Sequence, residues 1–158
     1  MIDKDDLKTI RKQFDFLFDD GFEIAGTEGG GMGWIVYLHS NKFKVRIVYD
    51  RGDMFVFLAP PWARKKAYDA HFIDLQSLIG FIQNDLYYQF FKETPFGIDA
   101  QLEKIASELK VRYVELMRFL EKKNFIQVKN ELELFREKER QISLGPYGYK
   151  PKTTKKSE

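Results

Sequence analysis

The chain has 158 residues, of which 26 are basic and 24 acidic, and its formal net charge is +2. A balance this close does not by itself indicate a nucleic-acid-binding protein. Because the sequence has no cysteine, no N-terminal signal pattern and no apolar run of about 18 residues, we expect a soluble, cytoplasmic protein without disulfides, thiolate metal sites or membrane spans.

The first predicted element is a helix from Asp3 to Asp20, whose apolar residues recur at helical spacing. Asp3 can cap its start, and Gly21 suits the position after its end. Residues 22–26 are predicted to add a strand, and the glycine-rich segment Gly26–Gly33 to form a mobile connection. A phosphate-binding loop is not expected there, because a strand rather than a helix follows the glycines.

Residues 34–60 predict the central sheet. They contain three apolar runs separated by two spacers whose Asn, Asp and Gly residues suit tight hairpins. In the middle run, alternation places Val45 and Ile47 on one face and Lys44 and Arg46 on the other. The second face is either an ordinary solvated surface or a binding surface. The candidate contact residues on it are Tyr37, His39, Lys44 and Arg46.

The run Met54–Ala59 is apolar on both faces, which is typical of a strand that is covered on both sides or that faces a partner. Pro60 and Pro61 end it, since proline cannot donate to a ladder. The loop that follows interleaves aromatic and basic side chains. This pattern suits a tryptophan that anchors the loop, or contacts with a partner that include stacking on nucleic acid. Its candidate contact residues are Trp62, Arg64, Lys65, Lys66 and Tyr68.

Three further helices are predicted after the sheet. The first is capped by Asp74, and the aromatic segment Tyr87–Phe91 can extend it. The rings of this segment are expected in the core, and if they are exposed they form a partner site. The second runs from Asp99 to about Lys123. The third begins with a capping box at Asn124 and carries a strongly charged outer face.

These elements predict an α+β fold with a three- to five-stranded antiparallel meander sheet. One N-terminal helix and about three C-terminal helices are expected to pack on one face of the sheet. Residues 1–145 are predicted to form a single domain, and residues 146–158 a basic, flexible tail.

Little in the sequence indicates catalysis. The two histidines, His39 and His71, stand in no metal-ligand or nucleophile motif. Asp50 and Asp53, beside Arg51, are the one carboxylate pair with a suggestive spacing, and a hairpin turn explains them equally well. We therefore predict that the protein is not an enzyme and uses no cofactor and no metal.

Parts of the chain resemble small uncharacterised bacterial α+β proteins of the immunity type, which occur in toxin–immunity systems. The segments that carry the resemblance are residues 14–24 (FDFLFDDGFEI), 44–53 (KVRIVYDRGD) and 72–82 (FIDLQSLIGFI). The likeness covers residues 14–60, 72–82 and, more loosely, 124–145. It implies a cytoplasmic protein that neutralises a toxin by covering it. The loop at residues 61–68 and the C-terminal tail depart from the pattern.

The predicted function is thus a non-enzymatic, protein-binding domain of unknown oligomeric state. One alternative is a nucleic-acid-binding accessory protein, in which Lys44, Arg46 and the cations of the Trp62–Tyr68 loop form one continuous positive surface. A second is an enzyme with a deep pocket of convergent ionisable groups. A third is a homo-oligomer that associates through Tyr87–Phe91.

Overall fold

The computed structural model describes residues 2–30, 32–64 and 71–144, and these residues form the predicted α+β fold. The five strands make one antiparallel sheet in sequence order: β1 (Glu23–Gly30), β2 (Gly33–His39), β3 (Lys44–Asp50), β4 (Asp53–Ala59) and β5 (Ile73–Asp74). The helices of the described part are α1 (Lys4–Gln13), α2 (Asp15–Asp19), α3 (Leu75–Gln83), α4 (Ile98–Val111), α5 (Tyr113–Leu120) and α6 (Lys122–Leu144). The predicted tail and the contact residues Lys65, Lys66 and Tyr68 lie outside the described residues.

The predicted hairpin between β3 and β4 is confirmed. Asp50 pairs with Asp53, and the two residues between them, Arg51 and Gly52, have φ values of +51° and +100°. Positive φ at both central positions gives the turn a backbone twist that matches the twist of the flanking strands. Asp50 and Asp53 are exposed at this turn, so the pair is accounted for by the hairpin.

The glycine-rich segment is not the mobile connection that the sequence predicted. It forms most of β1, which pairs with β2 as far as Gly30 opposite Gly33. Glycine is uncommon in strands, which is why the prediction was wrong. Here the backbone approaches too closely for a side chain: a Cβ on Gly33 would lie 2.5 Å from the carbonyl oxygen of Tyr49, and one on Gly29 would lie 2.7 Å from the Cα of Trp34.

The N-terminal helix is divided, whereas the sequence predicted one helix from Asp3 to Asp20. Phe14 separates α1 from α2 with φ −101° and ψ 26°, and its side chain is completely buried. The predicted cap is confirmed, since the amide of Asp5 donates to Asp3 Oδ1 over 3.0 Å. Gly21 follows the second helix with φ +90°, as expected for a residue after a helix end.

The helix after the sheet starts as predicted and ends earlier. The amide of Ser77 donates to Asp74 Oδ2 over 3.0 Å, which confirms the cap. The helix ends at Gln83, because Asn84 adopts the left-handed conformation with φ +52°. The aromatic segment Tyr87–Phe91 therefore does not extend the helix but lies in the loop before α4.

The last two predicted helices also differ in their limits. The helix predicted from Asp99 to Lys123 begins at Ile98 and is interrupted at Arg112, which separates α4 from α5. The final helix begins at Lys122 rather than at a capping box on Asn124. The Asn124 side-chain amide donates instead to the carbonyl of Arg118 over 2.9 Å.

The main core lies between the helices and one face of the sheet. The sheet contributes the buried side chains Trp34, Val36, Leu38, Val45, Ile47, Met54, Val56 and Leu58. The helices contribute buried side chains that include Ile10, Leu78, Leu102, Ile105, Leu116 and Leu132. The buried positions of β3 alternate as the sequence predicted, whereas Tyr37 of β2 and Ala59 of β4 are buried on the opposite face as well. None of the helices in the described ranges is long and apolar enough to cross a membrane.

Candidate binding face

The face of the sheet opposite this core is organised as four cross-strand rows, which we call the open face. The register of β1 to β4 sets each row. The rows are Glu28–Ile35–Val48–Phe55, Gly26–Tyr37–Arg46–Phe57, Glu23–His39–Lys44–Ala59 and, at the β3–β4 turn, Gly30–Gly33–Asp50–Asp53. The four contact residues that the sequence placed on this face, Tyr37, His39, Lys44 and Arg46, therefore lie in two adjacent rows.

The first row is apolar and accessible. Ile35 and Val48 are half-buried, and Phe55 is 44% exposed. Opposed side chains on one face of an antiparallel pair lie in contact range, so these residues form a continuous apolar strip across β2, β3 and β4. Glu28 of β1 ends the strip on one side.

Arg46, in the second row, is packed between aromatic rings. Its guanidinium carbon lies 4.5 Å from the ring centroid of Phe57 and 4.7 Å from that of Phe72. Phe72, Ala59 and Ala63 form a small buried cluster against Phe57, so this end of the open face is partly covered. The half-buried guanidinium is thus held in place by stacking, which lowers the freedom of Arg46 to reach a partner.

The third row contains a small pocket of about 380 Å³, lined by Tyr37, His39, Lys44 and the β1 residues 25–28. The Lys44 ammonium donates a hydrogen bond to the carbonyl of Ala63. His39 Nε2 is buried and has no hydrogen-bond partner among the residues that the structure describes. Burial and the neighbouring Lys44 charge lower the pKa of His39, so its imidazole is neutral at pH 7.

Charge on the open face is mixed rather than uniformly basic. Glu23 stands directly opposite His39, in the row of Lys44, and Glu28 stands opposite Ile35, in the apolar row, so β1 adds two carboxylates to the face that carries Lys44 and Arg46. The sequence pattern of β3 alone suggested a cationic surface. The carboxylates were missed because the register of β1 against β2 could not be read from a glycine-rich segment.

The loop after β4 holds the other predicted contact residues. Trp62 is 41% exposed, and its ring lies edge-on against His71 and Phe125 at centroid distances of 5.1 and 5.4 Å. Trp62 therefore anchors the loop to the start of α6, one of the two roles that the sequence left open. Arg64 is exposed. Whether the cations of this loop join Lys44 and Arg46 in one positive surface stays a prediction.

The candidate contact residues that sequence reasoning missed are aromatic. Phe55 and Phe57 belong to the strand that was predicted to be apolar on both faces, yet they were not named as contact residues. Their pairing with Val48 and Arg46 gives them their place on the open face. Counting outward from the Arg51-Gly52 turn would have given that pairing, because a two-residue hairpin fixes the register of its strands.

Two ionisable networks lie away from this face. Asp20 accepts from the Tyr113 hydroxyl and pairs with Lys42, and these hydrogen bonds lower the pKa of its carboxyl. Glu108 accepts from Tyr88 over 3.1 Å and pairs with Arg112 at 2.6 Å. Across the described ranges, no three His, Cys, Asp or Glu side chains stand close enough to hold a metal ion.

Comparisons of the chain with models of protein families, with curated proteins and with solved structures returned no match. A function for the open face therefore has to be argued from its geometry.

Proposed function

We propose that the protein is a non-enzymatic, protein-binding domain that uses the open face to bind a partner protein, in the manner of an immunity protein that covers its toxin. The observation that carries the proposal is the apolar strip Ile35–Val48–Phe55, in which Phe55 is exposed and the other two side chains are half-buried. Specific interfaces combine an apolar, aromatic centre with a polar rim. On the open face, Phe55 supplies an exposed aromatic side chain at the β4 end of the strip. Glu28 lies at the β1 end of the same row, and His39 and Lys44 add polar groups two rows away.

Position in the sheet supports this role. An antiparallel sheet often leaves one face to solvent, and that face is then polar along each strand. Here a whole row spanning β2 to β4 is apolar, although contact between apolar side chains and water does not stabilise the free protein. Contiguous exposed apolar surface of this kind marks interaction sites on soluble proteins.

The proposal is tested by affinity capture from the native host with a matched pair of variants. Phe55→Ser removes the centre of the strip, and Leu134→Ser removes an equally accessible apolar side chain, 70% exposed, from α6. We expect the original protein and Leu134→Ser to retain one polypeptide that Phe55→Ser loses, with a dissociation constant at least about tenfold higher for Phe55→Ser. Equal retention by both variants would contradict the proposal.

The identity of the captured molecule distinguishes the immunity role from the nucleic-acid alternative. An immunity-type partner arrests growth when expressed alone, and co-expression of this chain restores growth. If nuclease treatment releases the captured material, the protein is a nucleic-acid-binding accessory protein instead. The half-buried positions of Lys44 and Arg46, engaged with Ala63 and with two rings, favour the protein partner because phosphate contacts need accessible cations.

A further inference from the structure

The outer edge of β1 has no partner strand in the part of the chain that the structure describes, because β1 ends the sheet and pairs only with β2. The side chains at this edge are accessible on both faces. Thr27 lies on the helix side, opposite Val36, and is nevertheless exposed. Glu28 on the open face is exposed, and so is Ala25, which has no opposite residue on β2. The described helices therefore do not cover this part of β1, and another chain can reach its edge.

The register of β1 against β2 shows which backbone groups point outward. Two residues connect Gly30 to Gly33, and a hairpin connection of this length closes on a hydrogen-bonded pair. Hydrogen-bonded and non-hydrogen-bonded pairs alternate along an antiparallel ladder, so the pair Thr27–Val36, three positions further on, is non-hydrogen-bonded. Thr27 therefore turns both its N–H and its C=O away from β2. Within the described ranges, neither group has a hydrogen-bond partner.

The sequence of this edge does little to prevent pairing with another strand. Edge strands that stay unpaired are commonly protected by lysine or proline. Residues 26–30 contain neither, and three of these five residues are glycines. Because glycine has no side chain, another backbone can approach it closely. The bulge at Ala25 interrupts the ladder at one end, so the regular part of the edge begins at Gly26.

The charges of β1 indicate the chemistry of the strand that fits it. Glu23 and Glu28 are exposed on the same side of β1, which has no basic residue. A second copy of this chain would bring the same carboxylates to the shared edge, and like charges on paired strands weaken the pairing. A strand with lysine or arginine opposite Glu28 would instead form a cross-strand pair of opposite charge. The charge of the edge therefore favours a basic partner over a second copy.

We propose that a basic, extended segment of a partner polypeptide binds along the outer edge of β1 as an additional strand. Its backbone forms hydrogen bonds with the N–H and C=O of Thr27, and one of its lysine or arginine side chains faces Glu28. In strand addition, main-chain hydrogen bonds supply affinity and alternate side chains supply specificity. The site is an edge of the sheet and does not require the open face to bind, so it goes beyond the proposed function.

The test selects binders from a displayed library of random octapeptides on the immobilised full chain, and compares two variants of one position. Thr27→Pro removes the outward N–H and is compatible with the fold, because proline is tolerated on an edge strand where its nitrogen faces solvent. Thr27→Ala keeps the backbone and removes only the side chain. We expect Thr27→Pro to weaken the strongest binder at least about tenfold, and Thr27→Ala to bind it like the original protein.

Hydrogen exchange of the original protein gives a second readout that does not depend on the folding of a variant. The amide of Thr27 should exchange at least about tenfold more slowly when the peptide is bound, because its N–H is then hydrogen-bonded. Failure to select any binder, equal binding to both Thr27 variants, or unchanged exchange at Thr27 would overturn the proposal.

The chemical class of the partner is tested at Glu28. We expect the selected peptides to carry lysine or arginine, and Glu28→Gln to weaken the strongest binder by about twofold to fivefold at low ionic strength. Glu103→Gln is the control, because Glu103 is an exposed carboxylate of α4. Binders without cations, or an equal response in the two variants, would contradict a basic partner. A dimer that Thr27→Pro dissociates would assign the edge to a second copy instead.

Discussion

At the scale of single residues, the open face uses its polar side chains in two different ways. Arg46 stacks between Phe57 and Phe72 and stabilises the sheet end. His39, by contrast, keeps a buried nitrogen without a partner in the described residues and lines an accessible pocket.

Titration of His39 tests this description. Burial first, and then the charge of Lys44, lower its pKa below the ordinary value of about 6.5. The other ionisable groups around it are Glu23, opposite on β1, and the Tyr37 hydroxyl. We expect NMR titration of the imidazole to give a pKa below 6.5, and Lys44→Gln to raise it. A pKa at or above the ordinary value, or no response to Lys44→Gln, would contradict the assignment.

The consequence for stability has a definite sign. Because the folded pKa of His39 lies below its unfolded value, protonation favours the unfolded chain. The stability of the protein should therefore fall as the pH decreases below about 6.5. His39→Gln, which cannot be protonated, should show a smaller loss over the same interval in urea unfolding monitored by circular dichroism.

Asp20 has the opposite dependence. Hydrogen bonds from Lys42 and Tyr113 lower its pKa, so it stabilises the fold above the ordinary pKa of about 3.9 and stops doing so as the pH falls through its lower folded value. We expect Asp20→Asn to unfold more easily than the original protein at pH 7. The difference should decrease as the pH falls below about 3.9. A difference that persists undiminished in acid would show that the carboxylate charge is not responsible.

At the scale of secondary-structure elements, the close pairing of β1, β2 and β3 is the feature that sequence patterns did not reveal. Gly33 stands against the backbone of Tyr49, where a Cβ would approach to 2.5 Å. Gly26 is in the neighbouring pair of strands, β1 and β2, and a Cβ there would meet nothing closer than Tyr37 Cδ2 at 3.8 Å. The close approach of β3 therefore requires a glycine at position 33, whereas no close contact requires one at position 26. The sequence pattern does not distinguish the two positions.

These two glycines provide a matched prediction. Gly33→Ala should lower the free energy of unfolding by about 1–3 kcal/mol, because the added methyl collides with backbone that cannot move aside. Gly26→Ala should leave it unchanged or slightly higher, since alanine has less conformational freedom to lose on folding. Chemical unfolding of both variants measures the difference. Equal effects would mean that the approach of β2 to β3 is looser than described.

Periodicity predicted the elements well and their limits poorly. The alternation of Val45 and Ile47 with Lys44 and Arg46, and the caps at Asp3 and Asp74, are local signals and were read correctly. The breaks at Phe14 and Arg112 were missed because both helices keep apolar residues in step across the break. The grouping of Phe55 with Ile35, and of Glu23 with His39, depends on pairing between strands, which a pattern along one strand cannot supply.

At the scale of the whole molecule, the arrangement is one-sided. The buried side chains of all the described helices belong to the core on one face of the sheet, and the other face keeps the strip Ile35–Val48–Phe55 accessible.

The central claim is that the open face, and not the helical side, contacts the partner, and methyl NMR tests it most directly. In the described part of the chain, Ile35 and Val48 report on the open face, and the exposed Ile126 and Leu134 report on α6. When the captured partner is added, we predict that the methyl signals of Ile35 and Val48 shift or broaden while those of Ile126 and Leu134 stay in place. Changes confined to Ile126 and Leu134 would contradict the account.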